Sequence, residues 1–97
     1  MAFLMEKDSK EIFEIKDDEM IIIGRGESCS IRIDNDKRVS KLHAKISRDA
    51  TGACRILDLN SSNGTFVNGQ LVLDGYLKNG DCILVGGSIL TFHEDIR

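Results

Sequence analysis

The stretch TFVNGQLV, residues 65–72, sets the architecture. Two short runs of β-branched and apolar side chains flank Asn68-Gly69. A two-residue hairpin loop needs positive φ at both central positions, and Asn-Gly tolerates that better than almost any other pair. The segment therefore reads as two antiparallel strands joined by a tight reversal. Working outward, the same grammar repeats. IFEI (12–15), MIIIG (20–24), SIRI (30–33), AKISR (44–48) and CRILDL (54–59) precede it, and CILVG (82–86) and SILTFH (88–93) follow. These are strand signals at spacings of roughly 8–12 residues, bounded by turn signals. The turn pairs are Thr51-Gly52, Asn63-Gly64, Asp74-Gly75, Asn79-Gly80 and Gly86-Gly87, the last predicting a second hairpin. No window of a dozen residues carries a helical stripe. Short strands, tight turns and no helix imply an antiparallel sandwich or barrel, with its loops gathered at two ends.

A chain of 97 residues suits one domain, and 41% apolar with 30% charged residues is the composition of a folded one. The net charge of −3, with four Phe, one Tyr and no Trp, argues against a nucleic-acid partner, which calls for a basic face and stacking rings. The charges are unevenly spread. Lys37, Arg38, Lys41, Lys45 and Arg48 crowd one segment, and Asp17, Asp18 and Glu19 another. Screening confines each field to about 8–10 Å, so a local basic spot outweighs the sum. Cys29, Cys54 and Cys82 are odd in number and widely spaced, with no CxxC pair. They form no disulfide framework and no metal set with His43 or His93, and read as small buried thiols of a reducing cytoplasm. No cofactor is expected. The longest apolar run, Met20–Ile23, falls far short of the ~20 residues of a membrane span. MAFLMEKDSK (1–10) gains charges too soon for a signal peptide.

Three loops carry chemistry. In GRGESCS (24–30), Gly24 and Gly26 allow a sharp turn, and Arg25 offers a planar fork that fits phosphate oxygens two at a time. The third glycine of a dinucleotide loop and a Gly-Lys-Ser/Thr ending are both missing. In DNDKRVSKLHAKI (34–46), Ser40 offers a hydroxyl and Lys41 a mobile charge. Ser40 and His43 invite a nucleophile-and-base reading, but no orienting carboxylate, oxyanion motif or glycine elbow accompanies them. His43 reads instead as a hydrogen-bonded brace. In NSSNGTFVNG (60–69), Ser61, Ser62 and Asn63 bring hydroxyls and an amide suited to an extended peptide backbone. Singly, each loop is ordinary turn chemistry. Together they offer a bidentate cation, hydroxyls, a second cation and an amide, a set suited to a phosphoryl group of about −1.5 to −2 charge on a peptide.

GR at 24–25, SxxH at 40–43 and NGTFVNG at 63–69, in that order, resemble a forkhead-associated (FHA) domain over about residues 11–93. The resemblance implies an antiparallel β-sandwich of about eleven strands, one FHA domain over residues 1–97, with one end binding phosphothreonine peptides and no catalysis. Position by position, it implies that Arg25, Ser40, Lys41 and Ser62 contact the phosphate and that Asn63 holds the peptide backbone. Gly24, His43, Gly64 and Asn68 would fix the loops. It implies a phosphothreonine-containing protein as partner and a place within a larger signalling protein. The alternative is a phospho-independent interaction or dimerisation module.

Overall fold

The computed structural model describes residues 1–94. Its strands are β1 (Ala2–Glu6), β2 (Ile12–Ile15), β3 (Met20–Gly24), β4 (Ile31–Arg32), β5 (Ala44–Arg48), β6 (Cys54–Asp58), β7 (Thr65–Val67), β8 (Gln70–Leu71), β9 (Asp74–Tyr76), β10 (Cys82–Val85) and β11 (Ser88–Glu94). They form two sheets, ordered β2-β1-β11-β10-β7-β8 and β4-β3-β5-β6-β9. The all-β sandwich of eleven strands is the architecture read from the sequence.

Period-two alternation builds the core. Ile21 and Ile23 of β3, Ile46 of β5 and Ile56 of β6 face Leu4, Ile83, Leu90 and Phe92 of the other sheet, all within one buried cluster. Each such fully buried side chain stabilises the fold by about 1.5–3 kcal/mol relative to exposure. The Asn68-Gly69 reversal holds as expected: φ is 52° at Asn68 and 83° at Gly69, and Val67 pairs with Gln70 across it. Gly86, at φ 59°, turns β10 into β11, where Val85 pairs with Ser88.

The structure departs from the sequence reading in five places. MAFLMEKDSK contains β1, which pairs with β2 and β11 and buries Ala2 and Leu4. Its alternation is too short to stand out until two neighbours pair with it. SIRI shrinks to β4, which runs parallel to β3 through Ile23↔Ile31 and Gly24↔Arg32, the exception to antiparallel pairing. Asp74-Gly75 is not a turn but lies in β9, where Gly75 pairs with Ile56 and Asp74 takes a charge-assisted bond from Arg55. Of the three thiols only Cys54 is buried; Cys29 is partly exposed and Cys82 is exposed on the outward phase of β10. The basic segment is divided as well, because Arg48 lies at the far end beside Asp17, 3.4 Å away, while Lys37, Arg38 and Lys41 stay in the loop after β4.

Candidate functional site

The loops after β3, β4 and β6 meet at one end of the sandwich. Gly24 makes the first contact possible. A Cβ there would lie 2.2 Å from the Lys41 carbonyl oxygen, so a side chain would force the two loops apart. With glycine, the Arg25 N–H donates to Ser40 O at 2.9 Å and the Gly26 N–H to Lys41 O at 3.1 Å. The Cys29 thiol reaches the same Lys41 oxygen at 3.1 Å. Arg25 is then aimed by its own side chain, whose Nε–H donates to Val39 O at 2.7 Å. That bond uses one edge of the guanidinium. Among the described residues its terminal nitrogens have no hydrogen-bond partner, which leaves the planar fork available to a ligand.

His43 joins the second loop to the third. It is fully buried. Its Nδ1 accepts the Ser40 backbone N–H at 3.0 Å, which puts the ring proton on Nε2, 2.8 Å from Gly64 O. Both ring nitrogens are thereby occupied, and neither faces the Ser40 hydroxyl as a base would. The ring links the Ser40 loop to the Gly64 loop through these two bonds. Gly64 receives this bond in a left-handed conformation, φ 89°, where a Cβ would also meet Leu71 Cδ1 at 2.7 Å.

Ser40 itself is held by an incoming bond, from the Ser62 backbone N–H to its Oγ at 3.0 Å. An accepting hydroxyl keeps its own proton, so Ser40 remains a donor. Asn63 donates from Nδ2 to Arg38 O at 2.9 Å, which orients its side-chain carbonyl and commits half of the amide within the protein. The Lys41 side chain is exposed. Arg25, Ser40, Lys41, Ser62 and Asn63 thus share one end, although they come from three separated segments. Asn68 does not. Its amide bonds Asp81 Oδ1 and the Cys82 N–H, both at 2.9 Å, and so fixes the β7–β8 turn rather than the loop cluster.

Two carboxylates missed from the sequence support the site. Asp58, at the end of β6, accepts from Ser61 N at 3.0 Å and from the Ser61 and Thr65 hydroxyls at 2.6 Å each. Burial pushes its pKa up, but these hydroxyl and N–H bonds outweigh it and hold the group below the ordinary aspartate value. Its Asp-x-x-Ser spacing ahead of a turn was the available signal. Asp36 receives the Arg38 guanidinium at both oxygens, 2.9 and 3.1 Å, and the Gly87 N–H at 2.7 Å. The Arg38 guanidinium, followed by that N–H, holds Asp36 well below the usual carboxylate range. Arg38 is thereby paired within the protein, whereas Arg25 presents its terminal nitrogens and Lys41 is exposed. A fork, a free hydroxyl proton and an exposed ammonium group on adjoining loops are the donor types that suit a multiply charged oxyanion.

Comparison with known proteins agrees with this chemistry. The family model described as FHA domain matches residues 21–86. The FHA domain-containing protein FhaA of Mycobacterium tuberculosis is 43% identical over 67 residues, 69% of this chain and 12% of that protein, so the chain spans a small part of its relative's length. A structure from a structural and functional analysis of phosphothreonine-dependent FHA domain interactions superposes with a TM-score of 0.89 at 32% identity, covering 99% of this chain and 98% of the other. The FhaA FHA domain, solved in complex with the intracellular domain of Rv3910, gives 0.87 at 33%, covering 96% of this chain and 100% of the other.

Proposed function

The chain belongs to the FHA domain family, and on that footing we propose that it is a non-catalytic module that binds phosphothreonine in partner proteins. The observation that carries the proposal is the donor set at residues 25, 40 and 41: the guanidinium of Arg25 is anchored on Val39 O, and the next residue, Ser40, accepts a bond at Oγ and so keeps its own proton to donate. In this reading Arg25 takes two phosphate oxygens, Ser40 a third, and Lys41 and Ser62 add a charge and a hydroxyl from the flanks. Asn63 meets the peptide backbone through its side-chain carbonyl, which the Nδ2 bond to Arg38 O leaves uncommitted. Gly24, His43 and Gly64 hold the three loops at the spacing that this grip requires.

The similarity of the relatives supports a peptide partner over a free anion, and a dianionic ester over a carboxylate. Residues 1–97 act as one FHA domain of a larger cytoplasmic signalling protein in this proposal. Calorimetry with a phosphothreonine peptide, its unphosphorylated form and the Arg25→Ala protein tests it. A charge-assisted contact of this kind contributes about 1.5–3 kcal/mol, so Arg25→Ala should weaken binding by about 10- to 150-fold, and loss of the phosphate by more. Equal affinity for the phosphorylated and plain peptides would sink the assignment and favour a phospho-independent interaction module.

A further inference from the structure

The outer face of the six-stranded sheet is apolar where an exposed sheet face is ordinarily polar. The strand registers place three outward rows side by side. The first carries Glu14, Phe3 and His93, with the Phe3 and His93 rings stacked at 4.9 Å. The second carries Ile12, Met5, Thr91 and Cys82. The third carries Ile89, Leu84, Phe66 and Leu71. Ile12, Leu84 and Leu71 are among the most exposed apolar residues, at 57%, 37% and 61%. Among the described residues of these three rows, full charges stand only at one margin, at Glu14 in the first row and at Lys7, beside Ile89, in the third. The outer face of the other sheet is different, because Lys45, Arg55 and Asp74 lie within its rows.

We propose that this face pairs two copies of the chain in a weak isologous dimer whose twofold axis lies in the interface along the row of Cys82. Three observations select a second copy. In an isologous contact every side chain near the axis meets its own counterpart, so a central charge would repel itself; the central row has none. An axis along that row exchanges the first and third rows, and so brings Glu14 of one copy towards Lys7 of the other. The area also fits. Five strand intervals of about 4.8 Å and three rows about 7 Å apart give an apolar patch on the order of 400 Å² per copy. A pair would bury about 800 Å² of this patch and somewhat more with its rim, below the standard size of specific interfaces and in the range of weak, transient ones. Rotation about this axis reverses the strands, so the loop clusters of the two copies point away from each other.

Sedimentation equilibrium of the 97-residue chain under reducing conditions tests the proposal. A monomer–dimer equilibrium should appear between about 10 µM and 1 mM, as a small, largely apolar interface permits. Leu84→Glu puts a charge into the pairing surface and should weaken association at least about tenfold. Tyr76→Glu, on the outer face of the other sheet, should leave it unchanged, and thermal melting confirms that both variants are folded. Mild oxidation should link the wild type through Cys82, with loss of the product in Cys82→Ser. A chain that stays monomeric at 1 mM, or a folded Leu84→Glu that associates as well as the wild type, would overturn the dimer. Absence of the Cys82 link in an otherwise sensitive dimer would overturn the axis.

Discussion

At the scale of single residues, the end of this sandwich depends on positions that set how closely its loops approach. Gly24 is the clearest. The Lys41 carbonyl occupies the space where any Cβ would stand, so Gly24→Ala has to push the loop of Ser40 away from Arg25. We expect that substitution to abolish phosphopeptide binding or the fold, read by calorimetry beside circular dichroism. His43 offers a softer test. Replacing it with Ala empties a buried site and leaves the Ser40 N–H and the Gly64 carbonyl without their partner. An unsatisfied buried group costs about 1–3 kcal/mol, so His43→Ala should lose about 2–4 kcal/mol in urea titration, and binding should weaken with it. Wild-type stability in that variant would mean that water replaces the ring and that the brace is dispensable. Asp58→Ala attacks the same architecture from below. It removes the acceptor of the Ser61 hydroxyl and of the buried Thr65 hydroxyl, and we expect a loss of about 1–3 kcal/mol.

At the scale of elements, the hairpin of β7 and β8 shows how one dipeptide sets a register. Asn68 sits in the left-handed region and its side chain reaches across to β10, bonding Asp81 and the Cys82 N–H. Ala at this position keeps neither the conformational tolerance nor the two bonds. Asn68→Ala should therefore cost about 1–2 kcal/mol in chemical denaturation. It should leave the affinity for a phosphothreonine peptide intact, because the turn lies away from the loop cluster. A large loss of affinity at unchanged stability would place Asn68 in the site after all. The β3–β4 pair makes the converse point. Its two-residue parallel bridge has no sequence signature of its own, and it exists because the loop of Arg25 has to return the chain beside Gly24, whose carbonyl accepts the Ile33 N–H.

At the scale of the whole molecule, pH should separate binding from folding. Asp36, Asp49, Asp58 and Asp74 all lie below the ordinary value of 3.8 in the folded protein. The folded state therefore holds fewer protons than the unfolded one near that pH. Their stabilisation is fully present above about 3.8 and is lost as pH falls through the lower folded values. A phosphothreonine ester, with its second ionisation near about 6, loses charge much earlier. Peptide affinity should thus fall between about pH 7 and 5, whereas the stabilisation that these aspartates supply is lost only below about pH 4. Calorimetry across this range checks it; a peptide affinity that stays constant between about pH 7 and 5 would mean that the charge of the phosphate is not what the site reads.

The order of alternating runs and turn pairs was enough to establish an all-β sandwich or barrel, because alternation and left-handed turns are local properties that a linear chain displays, and the family resemblance chose the sandwich. The loop residues were also legible as a set, since Arg25, Ser40, Lys41, Ser62 and Asn63 are chemically apt and stand where the alternation breaks. Their convergence was expected from their joint chemistry and from the family resemblance, but the contacts that produce it were not legible, because they join segments distant in the chain: Gly24 against Lys41, Arg25 against Val39, His43 between Ser40 and Gly64. The same holds for β1, for Asp74-Gly75 within a strand, and for the apolar outer face, where residues of β1, β2, β7, β8, β10 and β11 become neighbours only through sheet pairing. Local geometry is written residue by residue; partners across a sheet are chosen by burial and hydrogen bonding summed over the whole fold, and the three-dimensional arrangement alone decides them.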